Sequence, residues 1–127
     1  MFEKILVPLD GSGHSLRALE IAVQIAKKFD GKITLIHIYS VVVAPVIMPE
    51  PTTIAPPMVS VTTPIEVSKV AEASRKAGVS ILADGEQRVK TEGVPVETML
   101  KEGHTIQEII KTAKEGGFNL IVMGARG

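Results

Sequence analysis

"KILVPLDGSGHSLRALEIAVQIAKKFDGKITLIHIY", residues 4 to 39, decides the fold. It opens on an Ile, Leu and Val run without helical period, which reads as a buried strand from Glu3 to Leu9 broken at Gly11. From Ser12 or Gly13 the period changes: Leu16, Leu19, Val23 and Ala26 share one helical face, widened by Ala18, Ala22 and Ile25. The helix is expected to end at "FDGK", with Gly31 in the left-handed C-cap conformation. "KITLIHIYSVVV", 32 to 43, is then a second strand, apolar on both faces through much of its length as a sheet covered on both sides requires. Strand, helix and strand in that order imply a right-handed parallel crossover.

Downstream the pattern repeats after an interruption. "APVIMPEPTTIAPPMVSVTTP", 44 to 64, holds six of the eight prolines and one charge, Glu50, so it is neither a regular helix nor a central strand. Residues 44–63 are expected to be a mobile loop, with an apolar flap over a ligand or partner as the other reading. Thr63, Pro64 and Glu66 form a capping box, and Val67, Val70, Ala71, Ser74, Gly78, Ile81 and Leu82 follow on one helical face. Gly78 and Gly85 inside that helix predict close packing, a bend or a break. "GVPVETMLKEG" alternates as a third strand, with Pro95 suited to an edge. Thr105 and Glu108 repeat the capping box, and Ile106, Ile109, Ile110 and Ala113 form the stripe of a helix that Gly116 and Gly117 end. "FNLIVMG" is a fourth, deeply apolar strand. The sum, β-α-β-α-β-α-β, predicts an α/β fold: an open doubly wound parallel sheet in one domain spanning 1–127.

Composition removes several function classes. The 127 residues are 45% hydrophobic, and 14 basic side chains balance 14 acidic ones. No field strong enough to attract nucleic acid or an anionic membrane is indicated. The absence of cysteine rules out disulfides, thiolate metal sites and a cysteine nucleophile within these residues. No signal-peptide pattern and no apolar run near the roughly 20 residues of a membrane span occur, so a cytoplasmic protein is expected.

In an open parallel sheet, ligands bind at the carboxyl ends of the strands where strand order reverses. With order 3-2-1-4, "PLDGSGHS" after strand 1 and "MGARG" after strand 4 meet at one crevice. In the first loop the third glycine of a dinucleotide fingerprint is replaced by Leu16, and no acidic residue ends the second strand. Asp10 would repel phosphates; it suits a ribose hydroxyl or an adenine amino group, or it is simply a turn residue capping the first helix. The second loop has the opposite character. Gly124 and Gly127 let backbone amides approach an anion and Arg126 offers a planar donor fork, unless the segment is only a strand-ending turn with a solvated arginine. Ser12 and Ser15 cap the first helix or touch phosphate. A Ser-His-Asp triad among Asp10, Ser12, His14 and Ser15 is disfavoured because neighbours along a turn seldom align that way. His37 reads as a satisfied or half-buried core histidine, His104 precedes a helix cap, and neither has a metal-ligand partner at the needed spacing.

"KILVPLDGSGHSLRAL", "LIHIYSV" and "LIVMGARG" together resemble the universal stress protein family, in order and spacing over the whole chain. That resemblance implies a five-stranded parallel α/β fold and, in many members, ATP binding. It implies Asp10 at the nucleoside with Pro8 and Leu9 beside the base, and Ile38 lining the adenine pocket. Met123, Gly124, Arg126 and Gly127 match the first half of the family's glycine motif. The second half, a Gly-Ser or Gly-Thr, and the fifth strand that often makes the dimer are not among the 127 residues. The polypeptide is therefore expected to continue past Gly127. The implied function is a nucleotide-binding regulatory protein of the stress response. It would hold ATP across the crevice, with Mg²⁺ or Mn²⁺ arriving on the nucleotide, no metal site of its own, a homodimeric state and a further protein partner. Two alternatives remain: a dimeric interaction module of the same fold that binds no nucleotide, and a slow ATP hydrolase.

Overall fold

The computed structural model describes residues 2–40 and 64–124. Along the chain run β1 (Lys4–Pro8), α1 (Gly13–Phe29), β2 (Lys32–Tyr39), α2 (Pro64–Thr91), β3 (Val96–Glu102), α3 (Thr105–Glu115) and β4 (Leu120–Ile121). The strands form one parallel sheet in the order β3-β2-β1-β4, the α/β arrangement expected from the sequence. Ile5 stands opposite Ile33 and Leu120, and Ile33 opposite Val96.

Alternation along the strands assigns the helices to faces. Ile5 and Val7 of β1 and Ile33 and Leu35 of β2 pack with Leu19, Val23 and Ala26 of α1 and Leu82 and Val89 of α2. The intervening Leu6 and Ile36 pack with Ile109 of α3. Thus α1 and α2 cover one face and α3 the other.

The glycines of α2 do not break it. The helix runs unbroken from Pro64 to Thr91, and both glycines are sites of close approach. A Cβ on Gly78 would lie 2.6 Å from His37 Cδ2 and 2.7 Å from Leu100 Cδ1; one on Gly85 would lie 2.5 Å from Leu9 Cδ1. Removing two side chains lets the helix axis settle onto β2 and β3.

Several local expectations are corrected. The left-handed residue ending α1 is Asp30, at φ 55° and ψ 46°, not Gly31. Gly31 is needed for another reason: its Cβ would sit 2.4 Å from the Phe2 carbonyl oxygen. The cap of α3 is His104, and Thr105 is already the first helical residue, so the second capping box does not form. Val70 of α2 and Ile106 and Ile110 of α3, expected to face the core, are exposed; α3 meets the sheet mainly through Ile109 and Ala113 and leaves its own flank uncovered among the described residues. β4 is short and only partly buried; backbone bonds from Asn119 to Lys4 and from Val122 to Leu6 prolong its pairing. The predicted loop 44–63, the Thr63 cap and residues 41–43 of the second strand lie outside the described residues.

Candidate functional site

The loop after β1 is built by short-range bonds. The Leu9 N–H continues the sheet by donating to the Ile36 carbonyl at 2.8 Å. Asp10 Oδ1 then accepts the Ser12 N–H at 2.8 Å, a turn closed by a side chain, and Gly11 supplies the positive φ of 84° that the turn needs. Ser12 caps α1 by accepting the Ser15 N–H, and the Ser15 hydroxyl donates back to the Ser12 carbonyl at 3.0 Å. These two hydroxyls are thus bonded to backbone, as helix capping predicts, and form no triad with His14.

The loop after β4 comes directly against it. A Cβ on Gly124 would lie 2.6 Å from the carbonyl carbon of His14 and 2.8 Å from the Ser15 nitrogen, so only glycine lets this backbone pass the first turn of α1. The two loops that the strand order predicted to meet therefore do so at the carboxyl ends of adjacent strands.

Between them lies a cavity of about 320 Å³, lined by Pro8, Leu9, Asp10, Ser15, Ile36, Ile38, Thr105, Ile109, Met123 and Gly124. Six predicted residues meet there: Pro8, Leu9, Asp10, Ile38, Met123 and Gly124. Ser12 does not line it, because its side chain is committed to the cap. Arg126 and Gly127 lie outside the described residues. Ser15, expected to cap the first helix or touch phosphate, also lines the cavity, whereas sequence reading missed Ile36, Thr105 and Ile109. The available signal was topological: α3 starts where β3 ends, at the same end of the sheet as both loops, so its first turns must overhang the crevice.

The walls are apolar and the rim is polar. Ile36, Ile38, Ile109 and Met123 offer a slot for a flat, weakly polar body, and the Asp10 carboxylate, which accepts the Ser12 N–H, stands at its rim. The hydrogen bond and charge of Arg75 lower the Glu72 carboxyl, and the same pair raises Arg75, both on the exposed side of α2. Among the described residues no three His, Asp or Glu side chains converge as metal ligands, and no helix is long and apolar enough to cross a membrane.

The profile of the universal stress protein family matches residues 1–127. The chain belongs to that family. Universal stress protein YxiE of Bacillus subtilis is 32% identical over all 127 residues, which span 81% of its length. Universal stress protein MJ0531 of Methanocaldococcus jannaschii is 28% identical, and this chain spans 66% of it, just under two thirds. A crystal structure of a universal stress protein family member from Burkholderia pseudomallei superposes with a TM-score of 0.75 at 25% identity, covering 98% of this chain and 82% of that one. A universal stress protein crystallised in complex with cAMP superposes with a TM-score of 0.63, also at 25% identity, covering 94% and 74%.

Proposed function

We propose that this universal stress protein family member is a regulatory protein whose single domain binds an adenine nucleotide, ATP in the first instance, in the crevice between the β1 and β4 loops. The observation that carries the reading is the cavity itself: an apolar slot of about 320 Å³ with one carboxylate at its rim, at the point where strand order reverses. The base lies against Pro8, Leu9, Ile38 and Met123, and Asp10 accepts from the ribose or the adenine amino group. Phosphates lie over Gly124, Arg126 and Gly127. That side is favourable for anions because the N-terminal turn of α1 abuts Gly124, and the helix dipole places partial positive charge there. The cAMP complex of a related protein supports an adenine ligand.

Mg²⁺ or Mn²⁺ would come with the nucleotide. The protein is cytoplasmic in this reading, works as a homodimer and reports nucleotide occupancy to a protein partner. Calorimetry on the purified full-length protein with ATP, AMP and cAMP tests it. Binding in the micromolar range is expected, weakened about tenfold or more by Asp10→Ala, the loss of one charge-assisted hydrogen bond. Absence of heat with all three nucleotides at millimolar concentration would remove the proposal.

A further inference from the structure

His37 is bonded to the loop that carries Asp10, from the far side of the sheet. Its Nδ1 lies 2.7 Å from the Leu9 carbonyl oxygen. A carbonyl only accepts, so Nδ1 carries the proton. The Leu9 oxygen and the Asp10 N–H belong to the same rigid peptide plane. That N–H faces the Ser15 hydroxyl at 3.4 Å, so the plane is held along both edges, at the oxygen by β2 and at the nitrogen by α1. Fixing the plane fixes the backbone from which the Asp10 side chain departs.

The imidazole ring is itself held. It stands on the α2 face of the sheet, two residues beyond Leu35, and it does not line the cavity. Gly78 lies over it so closely that a Cβ there would meet His37 Cδ2 at 2.6 Å and Nε2 at 3.2 Å, with Leu100 Cδ1 at 2.7 Å. α2, β3 and the ring are therefore packed without slack, and a shift of α2 at Gly78 is passed to the Leu9 carbonyl.

We infer that His37 is a positioning residue for the crevice: its Nδ1–H sets the orientation of the Leu9–Asp10 peptide, and the packing of α2 at Gly78 sets His37. The inference rests on the nucleotide reading above. A core histidine that merely fills space would tolerate any side chain of similar volume, whereas a positioning role depends on a donor at one ring position. Asparagine presents its amide nitrogen near the place of Nδ1, and glutamine presents its own near the place of Nε2.

The test is nucleotide affinity of the full-length protein by calorimetry, read beside thermal melting. His37→Asn should bind ATP within about threefold of the natural chain, while His37→Gln and His37→Leu should bind about tenfold more weakly. Gly78→Ala, which leaves the donor in place but displaces the ring, should weaken binding in the same direction. Equal affinities for His37→Asn and His37→Gln overturn the inference, as does His37→Leu binding like the natural chain. The natural chain failing to bind any adenine nucleotide overturns the functional reading instead, a separate result. Should the variants not fold, long-range ¹H–¹⁵N spectra of the natural chain at about pH 8, above the ordinary imidazole range, still decide the bond. The Nδ1–H tautomer with a slowly exchanging proton is expected, and the Nε2–H tautomer removes it.

Discussion

The two faces of the sheet are made from alternate residues of the same strands, yet they bury different things. Under α1 and α2, Ile5, Val7, Ile33 and Leu35 meet Leu19, Ala22, Val23, Leu82 and Val89, all buried, with α2 lowered onto the sheet at two glycines. Under α3 the buried apolar set is Leu6, Ile36 and Ile109, accompanied by the buried hydroxyls of Thr34 and Thr112 and by the crevice. Close packing concentrates stability on the first face. The second buries fewer apolar side chains and holds the crevice between the two loops.

The largest effect expected from this asymmetry is on unfolding. Leu35→Ala leaves a closed void between the sheet and two helices and should cost about 4 kcal/mol in urea denaturation. Ile109→Ala enlarges a space already open at the crevice and should cost about 2 kcal/mol, the low end for such truncations. The order reverses for ligand affinity, because Ile109 lines the cavity and Leu35 does not. Equal stability losses at the two positions would break the comparison.

Gly85→Ala sharpens it next. Alanine favours the helix by about 1 kcal/mol over glycine, so on an uncovered face the change would stabilise. Here the new methyl would come 2.5 Å from Leu9 Cδ1 and 3.1 Å from Leu35 Cδ1. Overpacking of about 1–3 kcal/mol then outweighs the helical gain, for a net loss of about 1 kcal/mol in the same denaturation.

These contrasts also mark what the residues alone could reveal. Element order and strand order were legible because β2 is apolar on both faces and α1 on one, and because each helix sits between two strands. The meeting of Asp10 and Gly124 followed from topology. What periodicity cannot state is which surface lies opposite a stripe: Val70, Ile106 and Ile110 have core-like spacing and face outward. Local rules erred where a distant backbone intervened. Glycine at 31 suggested a left-handed cap, but the Phe2 carbonyl is what demands it, and Asp30 takes the strained conformation. Likewise Ile36, Thr105 and Ile109 joined the crevice only because α3 crosses the sheet there, a relation that no local spacing contains.

The smallest effect tests the polar side of the comparison. Thr112 is 3% exposed, and its hydroxyl has no hydrogen-bond partner among the described residues. A threonine inside a helix ordinarily donates to the carbonyl four residues earlier, which satisfies it at little expense. Left unpaired, a buried hydroxyl loses its hydration with no bond in return. Thr112→Val keeps the shape and the β-branch and has nearly the same helix propensity, so only the hydroxyl is removed. It should stabilise by about 0.5–1 kcal/mol, raising the melting temperature by about 3 °C. A fall instead would mean that the hydroxyl is bonded in solution, to water or to a ligand entering beneath α3. The second face would then hold its polar groups for use as well as its cavity.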